Sequence, residues 1–242
     1  MTAHTLAAPR FYFSFRSPYS WLAHHDLLEW YPGLADELAW IPFWEPDRRS
    51  ERMLTDAGGS FPYVPMSRAK HLYVLQDVRR LVTVRGLTVV WPVDRDPCWE
   101  VPHLAYLVAA EQGAGQAFAD QVYRARWQQG HDICDRAVVA GIAKELGLDA
   151  EALGGAADDE QARAAGLDAL LAADRDGVFG VPFFVHRHDR YWGVDRLASF
   201  AWTVRALHGG RPRPLAGGGS RVLSLGPDAS RIADGGHAGG CG

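Results

Sequence analysis

Residues 11–21 read Phe-Tyr-Phe-Ser-Phe-Arg-Ser-Pro-Tyr-Ser-Trp, and this stretch decides the fold. Phe11 to Phe15 is an aromatic-rich run suited to a buried strand. Ser17-Pro18 follows as an N-cap with proline at the first helical position, where a missing N–H costs nothing. Trp21, Leu22, Leu27, Leu28 and Trp30 then fall at helical spacing, up to a stop at Pro32-Gly33. The stretch predicts a strand running straight into a helix N-terminus, with Ser17 and Ser20 at the junction. Such a terminus offers N–H donors and a favourable dipole to negative charge. It carries no thiol of its own.

Working outward, Phe179-Gly180-Val181-Pro182-Phe183-Phe184-Val185 ends in an apolar run entered through proline. His186-Arg187-His188-Asp189 reads as a turn and Arg190-Tyr191-Trp192-Gly193 as a returning strand. Asp195 reads as the cap of a helix through Leu197, Phe200, Trp202 and Leu207 to Gly209-Gly210. Near the N-terminus, Ala39 to Phe43 is a second strand, completing a strand-helix-strand unit. Residues 47–65, with Gly58-Gly59 and nearby prolines, read as a loop. Helical patterns follow over about 66–85, 101–112, 115–128, 135–146 and 159–174, punctuated by Gly113, Gly130, Asp135 and Gly147. From Gly209 on, Gly, Pro, Ser and charge dominate, which predicts a flexible tail over 209–242.

Composition narrows the classes of function. A chain of 242 residues with 48% hydrophobic content can bury a sizeable core as one domain with an inserted subdomain. A formal charge of −4 gives no reason to expect nucleic acid or an acidic membrane surface. No apolar run approaches a membrane span, and Met1 to Arg10 lacks a hydrophobic signal core, so the expected location is the cytoplasm. Cys98, Cys134 and Cys241 are odd in number and far apart, which argues against a disulfide scaffold. Lys70 and Lys144 are the only lysines among 25 basic residues. With the abundant Ala and Gly, this suggests a GC-rich, actinobacterium-like codon usage.

The Ser-Pro-Tyr-Ser turn after an aromatic strand, Gly-Val-Phe-Gly-Val-Pro and Trp-Gly-Val-Asp-Arg-Leu together resemble 2-hydroxychromene-2-carboxylate isomerases. They are also similar to kappa-class glutathione transferases, within the larger DsbA-like group. Lys70-His71-Leu72-Tyr73, Asp77, Arg80, Gly86 and Trp91-Pro92 match that family's spacing without a gap, and the resemblance covers roughly residues 10–208. It implies an α/β, thioredoxin-like fold with an inserted all-helical subdomain at about 66–175. Thioredoxin-like proteins carry Cys-Pro-x-Cys where this chain has Ser17 and Ser20, so it is expected to hold another molecule's thiolate and not to exchange disulfides. The fold also implies a cis proline opposite that helix, and Pro182 is the candidate.

A free thiol has a pKa of about 8.5, so a thiolate at neutral pH needs donors aimed at sulfur. The Ser17 hydroxyl and the N–H groups of Tyr19 and Ser20 are such donors, although Ser17 is equally explained as a helix cap. Ser17 is thus the candidate catalytic residue. The resemblance implies that the Val181 backbone, next to Pro182, pairs with the cysteinyl part of a glutathione-like cofactor. It puts Asp195 near the cofactor's amino end, with Lys70 and Asp77 along the cleft. Asp195 also reads as a plain N-cap, and Asp77 with Arg80 as a solvated helix pair.

The chain departs from the family twice. Gly58-Gly59 replaces a Gly-Asn segment, and Val194 stands where relatives carry Asn or Ser. Each missing group would hydrogen-bond the glutathione peptide, at about 1 kcal/mol. This points to mycothiol or another small thiol beside glutathione, or to a site without one.

The histidines show no spacing expected for a metal; His186-x-His188 on a hairpin reads as a solvated turn, with loose metal binding as the alternative. Cys98 and Cys134 read either as nucleophiles or as small buried residues. Trp40, Trp44, Phe61, Tyr63, Tyr73, Trp91 and Trp99 exceed what the strands need, so some are expected to line a flat apolar pocket. The expected function is a thiol-dependent cis–trans isomerase of an aromatic or polyketide intermediate, acting as a homodimer. The alternatives are an S-transferase and a non-catalytic product-binding protein. A DsbA-type oxidoreductase is disfavoured by the two serines.

Overall fold

The computed structural model describes residues 8–62 and 65–207. Strand β1, Arg10–Phe13, lies inside a four-stranded sheet of order β2-β1-β3-β4. It pairs in parallel with β2, Ala39–Pro42, and antiparallel with β3, Phe183–His186. Strand β4, Asp189–Trp192, closes the other edge against β3. The period-2 alternation of a strand sorts the aromatic run. Phe11 and Phe13 enter the main core, whereas Tyr12 joins a smaller cluster with Phe43, Phe183 and Val185. Phe11 faces Phe184 across the strands, their rings stacked at 4.9 Å, and Phe184 stacks in turn on Phe200. Burying each such ring is worth about 1.5–3 kcal/mol, enough to fix the register.

Helix α1, Pro18–Trp30, begins as the cap and proline predict, with Ser17 Oγ accepting from the Ser20 N–H at 3.2 Å. Pro32-Gly33 does not simply stop it. Pro32 opens a further short helix, α2, Pro32–Glu37, at the position proline favours most. Strand β1 ends at Phe13, two residues early. The backbone groups of Ser14 and Phe15 bond to side chains and, at the Ser14 carbonyl, also to the Ser17 N–H, and not to a neighbouring strand.

The loop expected over 47–65 instead contains α3, Arg48–Asp56. Asp47 caps it by accepting from the N–H groups of Arg49 at 2.9 Å and Ser50 at 2.8 Å. Only Ser50 and Leu54 are buried on it, so the apolar periodicity was too sparse to read. Then follow α4, Arg68–Val84; α5, Glu100–Glu111; α6, Gly115–Trp127; and α7, Arg136–Glu145. The unexpected α8, Ala150–Gly155, is a six-residue turn capped by Asp149. Helix α9, Glu160–Asp176, ends at Gly177, whose φ of 69° needs a glycine. All these helices lie between β2 and β3, among the described residues.

At the C-terminal side the turn is shorter than expected. His186 and Asp189 pair as strand residues, leaving Arg187 and His188 at the tip. His186 is buried, which corrects its reading as part of a solvated turn. Asp195 lies within a 3₁₀ turn, Val194–Arg196, and does not cap the helix α10, Leu197–Leu207, that follows. The tail expected over 209–242, with Cys241, lies outside the described residues, as does Tyr63.

Candidate active site

The N-terminus of α1 meets the segment before β3 across the sheet. The Val181–Pro182 peptide is cis, as expected. Ser17 Oγ donates to the Val181 carbonyl oxygen at 3.4 Å, and the Pro182 carbonyl accepts from the Gly193 N–H at 2.9 Å. These contacts tie the first turn of α1, the entry to β3 and the end of β4 into one wall.

A cleft of about 620 Å³ opens on that wall. Tyr19, Lys70, Asp77, Val181, Pro182 and Asp195 all line it, so six of the seven residues singled out from the sequence share one space. The seventh, Ser17, lies behind them at 1% exposure. The Ser20 N–H, expected as a thiolate donor, is used by the Ser17 cap.

Asp77 is not a plain solvated helix residue. Its carboxylate accepts from the Tyr19 hydroxyl at 2.9 Å and from Arg80 at 3.0 Å, joining α1 to α4 along the cleft. Asp195 sits on the opposite lip, 3.6 Å from Arg196. Its carboxylate lies over Gly193, where φ is 101° and a Cβ would come within 2.6 Å of Asp195 Oδ1. Only glycine fits there, which explains the Trp-Gly-Val-Asp order. The cleft thus presents Lys70 and Arg196 as cations, and Asp77 and Asp195 as anions.

The aromatic walls differ from expectation. Of the surplus aromatic residues that the structure describes, Tyr73 alone lines this cleft; Trp192, read from the sequence as a strand residue at the head of the Trp-Gly-Val-Asp-Arg-Leu segment, is the other large ring beside Tyr19. Phe179 packs on Trp192 at 5.0 Å and extends the apolar rim. Trp40 packs on Phe11, Phe61 stacks on Phe43, and Trp91 leans on Trp127. Trp44 and Trp99 are buried against His103. Period-2 counting from Tyr191 could have assigned Trp192 to the cleft face. Arg196 lies inside the Trp-Gly-Val-Asp-Arg-Leu segment, where only Asp195 is given a role by the sequence.

Neither Cys98 nor Cys134 lines the cleft, and both are free thiols. Burial pushes the Cys98 thiol up, and burial with nearby Asp132 pushes that of Cys134 to about 12. Both are therefore poor nucleophiles.

The sequence matches the model of the DsbA-like thioredoxin domain over residues 10–205. It is 30% identical over 190 residues to a 2-hydroxychromene-2-carboxylate isomerase from Sphingobium xenophagum, covering 77% of this chain and 92% of that one. The chain belongs to the 2-hydroxychromene-2-carboxylate isomerase family. Within this isomerase family, a solved 2-hydroxychromene-2-carboxylate isomerase superposes with a TM-score of 0.65 at 23% identity, covering 83% of this chain and 95% of that one. The cytosolic disulfide reductase DsbM from Pseudomonas aeruginosa, solved with GSH, shares the fold at a TM-score of 0.55 and 17% identity, over 83% and 98% of the two chains. Among the described residues of this isomerase-family chain, no helix is long and apolar enough to cross a membrane.

Proposed function

We propose that this chain is a thiol-dependent cis–trans isomerase acting on an aromatic or polyketide intermediate. The observation that carries the reading is the juxtaposition of Ser17 and the α1 N-terminus with Val181–Pro182, at a cleft holding both cations and anions. Serine at both positions 17 and 20 leaves a site suited to a borrowed thiolate and unable to form a disulfide there.

The donor set fits a small polar thiol. The N-terminus of α1 favours negative charge on sulfur. A hydroxyl proton rotates freely, so Ser17 can turn its donor from the long 3.4 Å contact with Val181 to an incoming sulfur without moving Oγ. Lys70 and Arg196 suit carboxylates, and Asp195 suits an ammonium or sugar hydroxyls. Val194 lines the cleft where relatives carry an amide or hydroxyl, and Gly59 packs by Leu54 and Leu171 away from the cleft. Both features count against glutathione itself, with mycothiol or another small thiol as the alternative cofactor.

When bound, a thiol supplies reversible addition to a conjugated carbonyl, turning a double bond into a single bond that can rotate before elimination. The chain's own residues orient the two partners. Tyr19, Tyr73 and Trp192 offer flat apolar surface to the substrate, and Lys70 lies where a developing enolate oxygen would gain from a cation. We further propose that the protein acts in the cytoplasm as a homodimer.

The test is mass balance with 2-hydroxychromene-2-carboxylate, the compound in the relatives' name, with and without glutathione or mycothiol. Conversion to an isomer of unchanged mass, dependent on added thiol, supports the reading. A product heavier by the thiol identifies an S-transferase, and binding without turnover a product-binding protein; either outcome overturns it.

A further inference from the structure

Ser14, Phe15 and Arg16 carry the chain from β1 to α1; the Ser14 carbonyl accepts the Ser17 N–H at 3.1 Å, and side chains take the backbone groups of Ser14 and Phe15. The Ser14 N–H donates to Ser20 Oγ at 3.2 Å, and its carbonyl accepts from the Tyr123 hydroxyl at 3.3 Å. The Phe15 N–H donates to His103 Nε2 at 3.1 Å, and its carbonyl accepts from the Trp127 indole at 3.1 Å. Three of these four partners come from α5 and α6, so the helical segment grips the very turn that aims α1.

His103 is the unusual member. It is fully buried, and burial lowers its pKa to about 3, so the ring is neutral. Nδ1 lies 2.6 Å from the Trp99 carbonyl, which can only accept. Nδ1 therefore carries the proton, leaving Nε2 as an acceptor for the Phe15 N–H and for the Ser14 hydroxyl, 3.3 Å away. The ring stacks on Trp44 at 5.3 Å and lies 5.1 Å from Phe15. An apolar ring would fill that slot without the cost of desolvating an imidazole, so the acceptor is the reason to keep histidine.

We propose that His103 is a positioning residue, whose Nε2 holds the Phe15 N–H and thereby points the α1 N-terminus and Ser17 at Val181. The proposal rests on the thiolate reading of the cleft, but its test needs no cofactor or substrate. The parent is Ser17→Cys with Cys98, Cys134 and Cys241 replaced by alanine, and the readout is the pKa of the introduced thiol, from its ultraviolet thiolate absorbance. His103→Gln keeps an acceptor near the place of Nε2, whereas His103→Phe keeps the ring and loses the acceptor.

The glutamine variant should keep the parent thiol pKa, and the phenylalanine variant should raise it by about one unit, a tenfold loss of thiolate below that pKa. A folded phenylalanine variant with the parent pKa overturns the proposal. So does a glutamine variant that fails to fold or shifts the thiol, because ring packing would then be what matters. If the phenylalanine variant alone fails to fold, the glutamine variant decides: the parent pKa supports the acceptor role. A parent thiol of ordinary pKa counts instead against the thiolate reading, while the comparison between the two variants still judges His103.

Discussion

The Ser17 hydroxyl lies 3.4 Å from the carbonyl oxygen of Val181, joining the first turn of α1 to the cis peptide that enters β3. One oxygen thereby serves two ends of the fold, since it also accepts the Ser20 N–H that caps the helix. Its proton is held by a long bond and its lone pairs by a short helix turn. The cap is therefore the firmer role, and the proton is the part available to a ligand.

Ser17→Ala separates the two roles. Losing the cap should cost about 1 kcal/mol of stability. Losing a donor to bound or developing negative charge should lower turnover roughly 10- to 1000-fold. Denaturant titration and steady-state kinetics on the same preparations check both. Wild-type turnover with reduced stability would leave Ser17 as a helix cap alone.

The chain should not reduce or oxidise insulin. Serines stand at positions 17 and 20, and burial holds the thiols of Cys98 and Cys134 above their ordinary range. Insulin reduction that persists after replacement of all three cysteines would refute the serine-site argument.

Lys70 lines the cleft in a chain that uses arginine almost everywhere else. A compact ammonium and a planar guanidinium meet an oxygen differently. Lys70→Arg should impair turnover and leave the melting temperature unchanged, whereas Lys144→Arg on α7 should be silent in both. Equal behaviour of the two variants would remove Lys70 from the site.

Stability should fall with acid in a defined window. Burial lowers the pKa of His24 and of His103 to about 3, below the ordinary 6.5. Between these values the unfolded chain binds a proton at each position that the folded chain does not. Folding is therefore weakened as pH falls from 6.5 towards 3, by about 1.4 kcal/mol per pH unit for each histidine. Asp47 is held low chiefly by Arg163 against the opposing effect of burial, so its contribution is lost only below the ordinary carboxylate range. Urea titrations between pH 5 and 6.5 read the histidines against Asp120, whose carboxyl pKa is pushed up by burial and which acts in the opposite direction, and His103→Gln should make the fall with acid shallower than in the parent. Identical slopes for the parent and His103→Gln would mean that the His103 ring is not held neutral by burial.

The fold was legible where local chemistry and core pattern agree. Ser17-Pro18 announced α1, the aromatic run announced β1, and Pro182 before Phe183-Phe184-Val185 announced β3. Misreadings came where partners are distant. Phe15 looks like a strand residue until His103 and Trp127, about a hundred positions on, take its backbone groups. Helix α3 was hidden because it buries only Ser50 and Leu54. Within the cleft, chain motifs gave roles to Tyr19, Lys70, Asp77 and Asp195; Trp192 and Arg196 stand in the same Trp-Gly-Val-Asp-Arg-Leu segment as Asp195 and had none. Those two come from the edge strand and the turn after it, and only the folded chain brings them opposite α4.

The most direct measurement is a crystal structure after soaking with glutathione or, separately, mycothiol. The account predicts thiol sulfur within hydrogen-bonding reach of Ser17 Oγ, at the N-terminus of α1, with the rest of the molecule along Val181 and towards Asp195. A thiol bound elsewhere, or a cleft that takes up neither compound at concentrations saturating turnover, would contradict it.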